Sequence, residues 1–139
     1  MAAIELGKYL RQAQEQYHGC IETCVECWVA CEMCSDACLD EQNVEQLARC
    51  IRLDRDCAEA CQMAVRVMVR GGENVAEVCR MCAVICDRCA EECEKHAAHH
   101  DHCRICAESC RRCEQACREA IQSISTGANS RTESLVEPA

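Results

Sequence analysis

Phenylalanine is absent from this 139-residue chain, and Trp28, Tyr9 and Tyr17 are its only aromatic residues. A core anchored on large aromatic rings is therefore excluded. No excess of positive charge exists either: 15 Lys and Arg against 24 Asp and Glu leave a formal charge of −9. That balance argues against a nucleic-acid partner, which selects basic patches. No apolar run approaches the length of a membrane span, so a membrane-embedded protein is not expected. The opening Met1-Ala2-Ala3-Ile4-Glu5-Leu6-Gly7-Lys8 has none of the apolar stretch of a secretory leader, and a cytoplasmic location is the expectation. Alternating strand patterns are missing as well.

Cysteine is what the chain has instead, 19 residues of it. A reducing cytosol keeps thiols free, and cysteines there more often bind metal or do chemistry than form a disulfide framework. The odd total cannot pair off within one chain. Protonated thiols behave as small hydrophobes, so sulfur can fill a core without burying charge.

The cysteines are ordered. Cys20, Cys24, Cys27, Cys31, Cys34 and Cys38 recur at alternating gaps of four and three residues. Such spacings stack side chains on one face of an α-helix, here as a stripe about 27 Å long at the helical rise. Cys50, Cys57 and Cys61 keep the same register, with Asp54, Ala64 and Met68 in the missing steps. Cys79, Cys82, Cys86, Cys89 and Cys93 form a third stripe, and Cys103, Cys106, Cys110, Cys113 and Cys117 a fourth with identical spacing. Leu, Ile or Val would hold these positions in an ordinary bundle.

Four helices are predicted. The first runs from about Tyr17 and fades at Asp40-Glu41-Gln42. Asn43 followed by Gln46 reads as a cap opening the second, which stops at Gly71-Gly72. Asn74 caps the third, and Asp101 the fourth, which runs out near Ser125-Thr126-Gly127. Short connections make an all-α, antiparallel up-down-up-down four-helix bundle. A short helical lead-in over residues 4–13 completes a domain of residues 1–126, and residues 127–139 are expected to be a disordered tail. Antiparallel stacking puts Tyr17, Met68, Val75, Ile121 and Ile124 at one, plugged end. Asp54, His96 and His99 or His100 then mark the other end as a mouth.

Six C-x-x-C pairs lie in the stripes, and i,i+3 thiols on one helix can close on one ion. Thiolates are soft donors that select Cu(I), Zn(II) or iron–sulfur clusters. Four thiolates around a dication leave two negative charges, and a buried column of such sites would be severely penalised. A monovalent ion replacing each thiol proton leaves the core neutral, which favours many Cu(I) ions, about one per cysteine. C-x3-C-x2-C occurs several times, spelled like a radical-enzyme cluster loop, but inside helices and without the strands of a barrel.

The stripe Cys20–Cys38, the segment Cys50-Ile51-Arg52-Leu53-Asp54-Arg55-Asp56-Cys57-Ala58-Glu59-Ala60-Cys61, the C-x-x-C runs of the last two helices and the His-rich turn before Cys103 together resemble the bacterial copper storage proteins, over about residues 14–125. The resemblance is to their cytosolic branch. It implies a cysteine-lined four-helix bundle, homotetramers, storage or detoxification of copper, no catalysis, and admission of ions at one end. All 19 cysteines are the expected ligands, with Asp54 and one or two of His96, His99, His100 and His102 as candidate contacts at the mouth, His96 and His100 being favoured on register.

Rival readings have their own signatures. Asp54 can instead be a partly exposed carboxylate paired with Arg52 or Arg55. Met33, Met63, Met68 and Met81 read as gap-filling core. Ile21, Val25 and Trp28 serve equally as an oligomer contact or as helix packing. A zinc or cadmium buffer would saturate at about four or five dications by the tetrahedral rule. A thiol oxidoreductase needs an accessible, low-pKa thiol, for which Cys103 near a helix start is the candidate. A disulfide-stapled bundle would lack free thiols.

Overall fold

The computed structural model describes residues 15–136, with side chains through residue 126. The expected lead-in over 4–13 lies outside the described residues. Four helices follow in order: α1 His18–Leu39, α2 Ala48–Arg70, α3 Val75–His96 and α4 Asp101–Val136. Each packs against its two cyclic neighbours, α1 on α2 and α4, α3 on α2 and α4, giving the antiparallel bundle and no strand among the described residues. Helices of 22 and 23 residues span about 33 Å, so all four stripes run the length of one shared interior.

The helix ends follow local chemistry. Gly71 closes α2 in the left-handed conformation (φ 66°), its N–H bonded to Val67 O at 2.9 Å. Only glycine adopts that conformation without steric cost. Asn43 behaves differently from its predicted role. It precedes a 3-10 turn, Val44–Leu47, and its amide reaches Gln46 Oε1 at 3.3 Å, so α2 starts only at Ala48. Leu47 in that turn is fully buried and anchors the connection. At the last turn His100 supplies the cap position: its carbonyl accepts from the Cys103 and Arg104 amides at 3.1 and 3.2 Å, and Asp101 is already helical. α4 passes Gly127 and continues to Val136. A lone glycine costs a helix about 1 kcal/mol and does not end it.

The core is sulfur and small aliphatics. All 19 cysteines are free and buried. Tyr17, Met68 and Val75 are buried at the predicted plug, with Ile121 and Ile124 half-buried against them. The polar exterior ties helices together: Arg111 of α4 reaches Asp87 and Glu94 of α3 at 2.6 and 2.7 Å, and Arg55 of α2 donates to Ser35 of α1 at 3.2 Å. Met33, Met63 and Met81 are exposed rather than core fillers, because they sit beside the stripes; among the described methionines only Met68 is inside.

Candidate metal centre

The four stripes converge into overlapping thiol sets. From the plug toward the mouth these include Cys24, Cys82, Cys113 and Cys117; Cys27, Cys61, Cys86 and Cys113; Cys27, Cys31, Cys57 and Cys110; Cys31, Cys89, Cys106 and Cys110; and Cys34, Cys38, Cys50 and Cys103. Within each set every sulfur lies within 4.8 Å of the others. Neighbouring sulfurs are 3.5 Å apart at Cys24 and Cys113, 3.6 Å at Cys57 and Cys86, and 3.7 Å at Cys31 and Cys106. An ion bonded to sulfur at about 2.3 Å needs donors about 3.8 Å apart when tetrahedral and about 4.0 Å apart when trigonal. The helices thus hold the sulfurs near ligating distance.

Sharing decides what the column suits. Cys27, Cys31, Cys110 and Cys113 each belong to two of those sets. Isolated tetrahedral dication sites need four thiolates each to themselves; bridged clusters need sulfurs that serve two ions. Cys20 and Cys79 lie beyond the sets named here, toward the plug, where Cys20 meets Cys117 at 3.9 Å. Hydrogen bonds to Cys106 and other neighbouring thiols, together with burial, hold the Cys110 thiol well above the ordinary range. Cys110 is therefore a proton-bearing thiol until something displaces the proton.

Asp54 is not a partly exposed carboxylate paired with Arg52 or Arg55. It is fully buried in the column, and Arg55 turns to Ser35 instead. Its Oδ1 accepts from Cys89, Cys106 and Cys93 at 3.2, 3.4 and 3.5 Å, and Oδ2 from Cys50 at 3.8 Å. Burial first, then the sulfurs around it, push its carboxyl up to about 12. A neutral acid thus divides the mouth set around Cys34 and Cys103 from the deeper thiols.

The histidines arrange themselves otherwise than by register. His96 turns to Glu92, Nε2 to Oε2 at 2.9 Å. His100 lies 3.4 Å from Glu41 through Nδ1, and its ring centroid is 5.3 Å from that of His102. His99 is exposed. His102, which the stripe register did not favour, presents Nδ1 to Cys103, Cys34 and Cys38 at 3.5, 3.6 and 3.9 Å. Of the histidines, His102 is the one whose ring nitrogen borders the thiol column.

Glu92 was also missed. It is buried between α2 and α3 and gathers Arg49 at 2.7 Å, Lys95 at 3.2 Å and His96. Burial opposes its charge, but hydrogen bonds from His96, Arg49 and Lys95 outweigh burial and hold it below the usual carboxylate range. Lys95 and His96 at i+3 and i+4 were the available signal.

Comparison with known proteins agrees with this geometry. The family described as copper storage protein matches residues 13–122. A cytosolic copper storage protein from Streptomyces lividans, in a structure of copper loading with five coppers, is 44% identical with a TM-score of 0.76, covering 79% of this chain and 95% of that one. The Cu(I)-bound copper storage protein BsCsp3 is 42% identical with a TM-score of 0.73, covering 76% and 98%. The cysteine-rich protein YhjQ of Bacillus subtilis is 46% identical over 89 residues, 63% of this chain and 81% of that protein. With 19 buried thiols lining one bundle and the family match covering residues 13–122, this chain belongs to the copper storage protein family.

Proposed function

We propose that this protein is a cytoplasmic, non-catalytic store that takes up many Cu(I) ions, about one per cysteine, as copper–thiolate clusters along the bundle axis. The observation that carries this reading is the sharing of Cys27, Cys31, Cys110 and Cys113 between adjacent four-sulfur sets: the five sets cannot all be filled at once as separate four-thiolate dication sites, whereas monovalent ions bridged by shared sulfurs can use them all. Each ion replaces a thiol proton, so the interior stays neutral as it fills. The ligands are the 19 cysteines, with Asp54 and the histidines of the mouth, His100 and His102 foremost, as the groups an ion meets on its way in. His96, held by Glu92, stands at the same end. Cys103 is fully buried, which speaks against a thiol oxidoreductase with that residue as its nucleophile. Homotetramers, as the resemblance implies, would cover the exposed Val25, Val29 and Met33, which follow one another at i, i+4 and i+8 on α1.

Proton release tests this chemistry directly. Weakly buffered, metal-free protein titrated with Cu(I) at pH 7 is expected to release about one proton per ion until the thiols are consumed. Binding accompanied by little or no release of protons would mean that the ions do not replace thiol hydrogens.

A further inference from the structure

Two imidazoles at the mouth end on one carboxylate. Glu41 Oε1 lies 3.1 Å from His102 Nε2 and 3.4 Å from His100 Nδ1. Glu41 stands in the turn that ends α1, three residues past Cys38, where its own N–H donates to Cys38 O at 3.2 Å. The two histidines open α4, whose first amides bond to the His100 carbonyl. Glu41 therefore stitches the last turn of α1 to the turn between α3 and α4. It is the side chain through which α1 reaches both rings.

An ionised carboxylate can only accept, so the ring nitrogen facing it must carry the hydrogen. In a neutral His102 that nitrogen is Nε2, and Nδ1 is left with a bare lone pair. This Nδ1 is the atom bordering Cys103, Cys34 and Cys38 at 3.5 to 3.9 Å. A bare nitrogen there can take a thiol proton or bond the ion that displaces it. The opposite tautomer would turn an N–H toward the thiols and present neither.

We propose that Glu41 is a positioning residue of the mouth, which fixes His102 in the Nε2–H tautomer and keeps its Nδ1 lone pair on the outermost thiol set. It acts through the ring and does not touch the ion. The inference rests on the copper-storage reading for the identity of the cargo, but the tautomer is a property of the metal-free protein. Carboxylates that orient a ligating histidine in this way typically change metal affinity or activity by about 10- to 100-fold when removed.

The test uses the full chain as wild type, Glu41→Leu and Glu41→Gln, with folding checked by helicity. Ring 15N shifts of His102 are read in metal-free protein, and uptake of the first Cu(I) equivalents is followed anaerobically from a bicinchoninate-buffered source. In Glu41→Leu the Nε2–H tautomer is expected to give way to a mixture, with early uptake slowed about tenfold and the final capacity unchanged. Glu41→Gln retains an acceptor oxygen and is expected to keep most of both properties. Glu41→Leu with wild-type ring shifts overturns the proposal, as does Glu41→Gln behaving like Glu41→Leu in both readouts. Saturation of every protein at a few ions would sink the storage reading, while the ring shifts would still decide the role of Glu41.

Discussion

Asp54→Asn flattens the fall in stability of the metal-free, reduced protein between pH 5 and pH 8. In the folded chain the Asp54 carboxyl is pushed up to about 12, first by burial and then by the sulfurs of Cys106, Cys89 and Cys50. In the unfolded chain it titrates near its ordinary value of about 3.9. Its contribution to stability is thus complete below the unfolded value and is lost progressively as pH rises toward the folded one. Across the window between, the folded state keeps a proton that the unfolded state has released, and unfolding free energy falls by up to about 1.4 kcal/mol per pH unit. Over three pH units the wild type is expected to lose roughly 2–4 kcal/mol through this one group. Asparagine fits the same space, can still accept from the thiols of Cys89, Cys93 and Cys106, and does not titrate. Urea midpoints at pH 5, 6, 7 and 8 measure the difference, because the five histidines are common to both proteins. The window ends at pH 8 because free thiols of the unfolded chain begin to ionise near 8.5. Parallel profiles would show that Asp54 is ionised inside the fold.

The second large effect comes from the shared sulfurs. A triple Cys27→Ala, Cys31→Ala, Cys110→Ala variant is expected to lose far more than three ions of capacity. Those residues supply three of the five sets described, and each serves two of them. If each cysteine held its own ion, 19 − 3 = 16 thiols would still bind 16 ions. If sulfurs bridge, the middle of the column is emptied and the set around Cys24 is cut off from the set around Cys34. Cys20→Ala, Cys79→Ala, Cys93→Ala serves as the control, since those three lie outside the five sets. Its loss is expected to be close to three. Each truncation removes one buried sulfur at a cost of about 1 kcal/mol or somewhat more, so helicity and melting must be compared alongside. Equal losses in the two variants would rule out bridging at the centre.

The bundle and its lining were legible because a 3-4 alternation leaves one arrangement in which all the cysteines are inside. Gly71 was legible because a left-handed residue has one economical side chain. Asn43 was not: a cap and a 3-10 turn look alike in sequence, and the choice was made by Leu47, which a non-local core draws inward. The depth of Asp54 also escaped a reading by register. A register gives the face of a helix, whereas the level of Asp54 between two thiol layers depends on how far α2 is staggered against α3 and α4. His102 is the clearest case. It lies one residue ahead of Cys103, off the stripe, so helical register argued for its neighbours. It meets Cys34 and Cys38 because the end of α1 passes beside the turn, and Glu41 arrives by the same crossing.

A folded chain that carries a sulfur column preformed for many monovalent ions fills that column without refolding. Anaerobic titration of reduced, metal-free protein with Cu(I) against a competing chelator, with helicity followed throughout, tests it most directly. A plateau near one ion per cysteine, about 19 per chain, is expected, with helicity unchanged from the first addition to the last. Saturation at about four or five ions, the capacity of isolated four-thiolate sites, or helicity that appears only as metal is added, would contradict it.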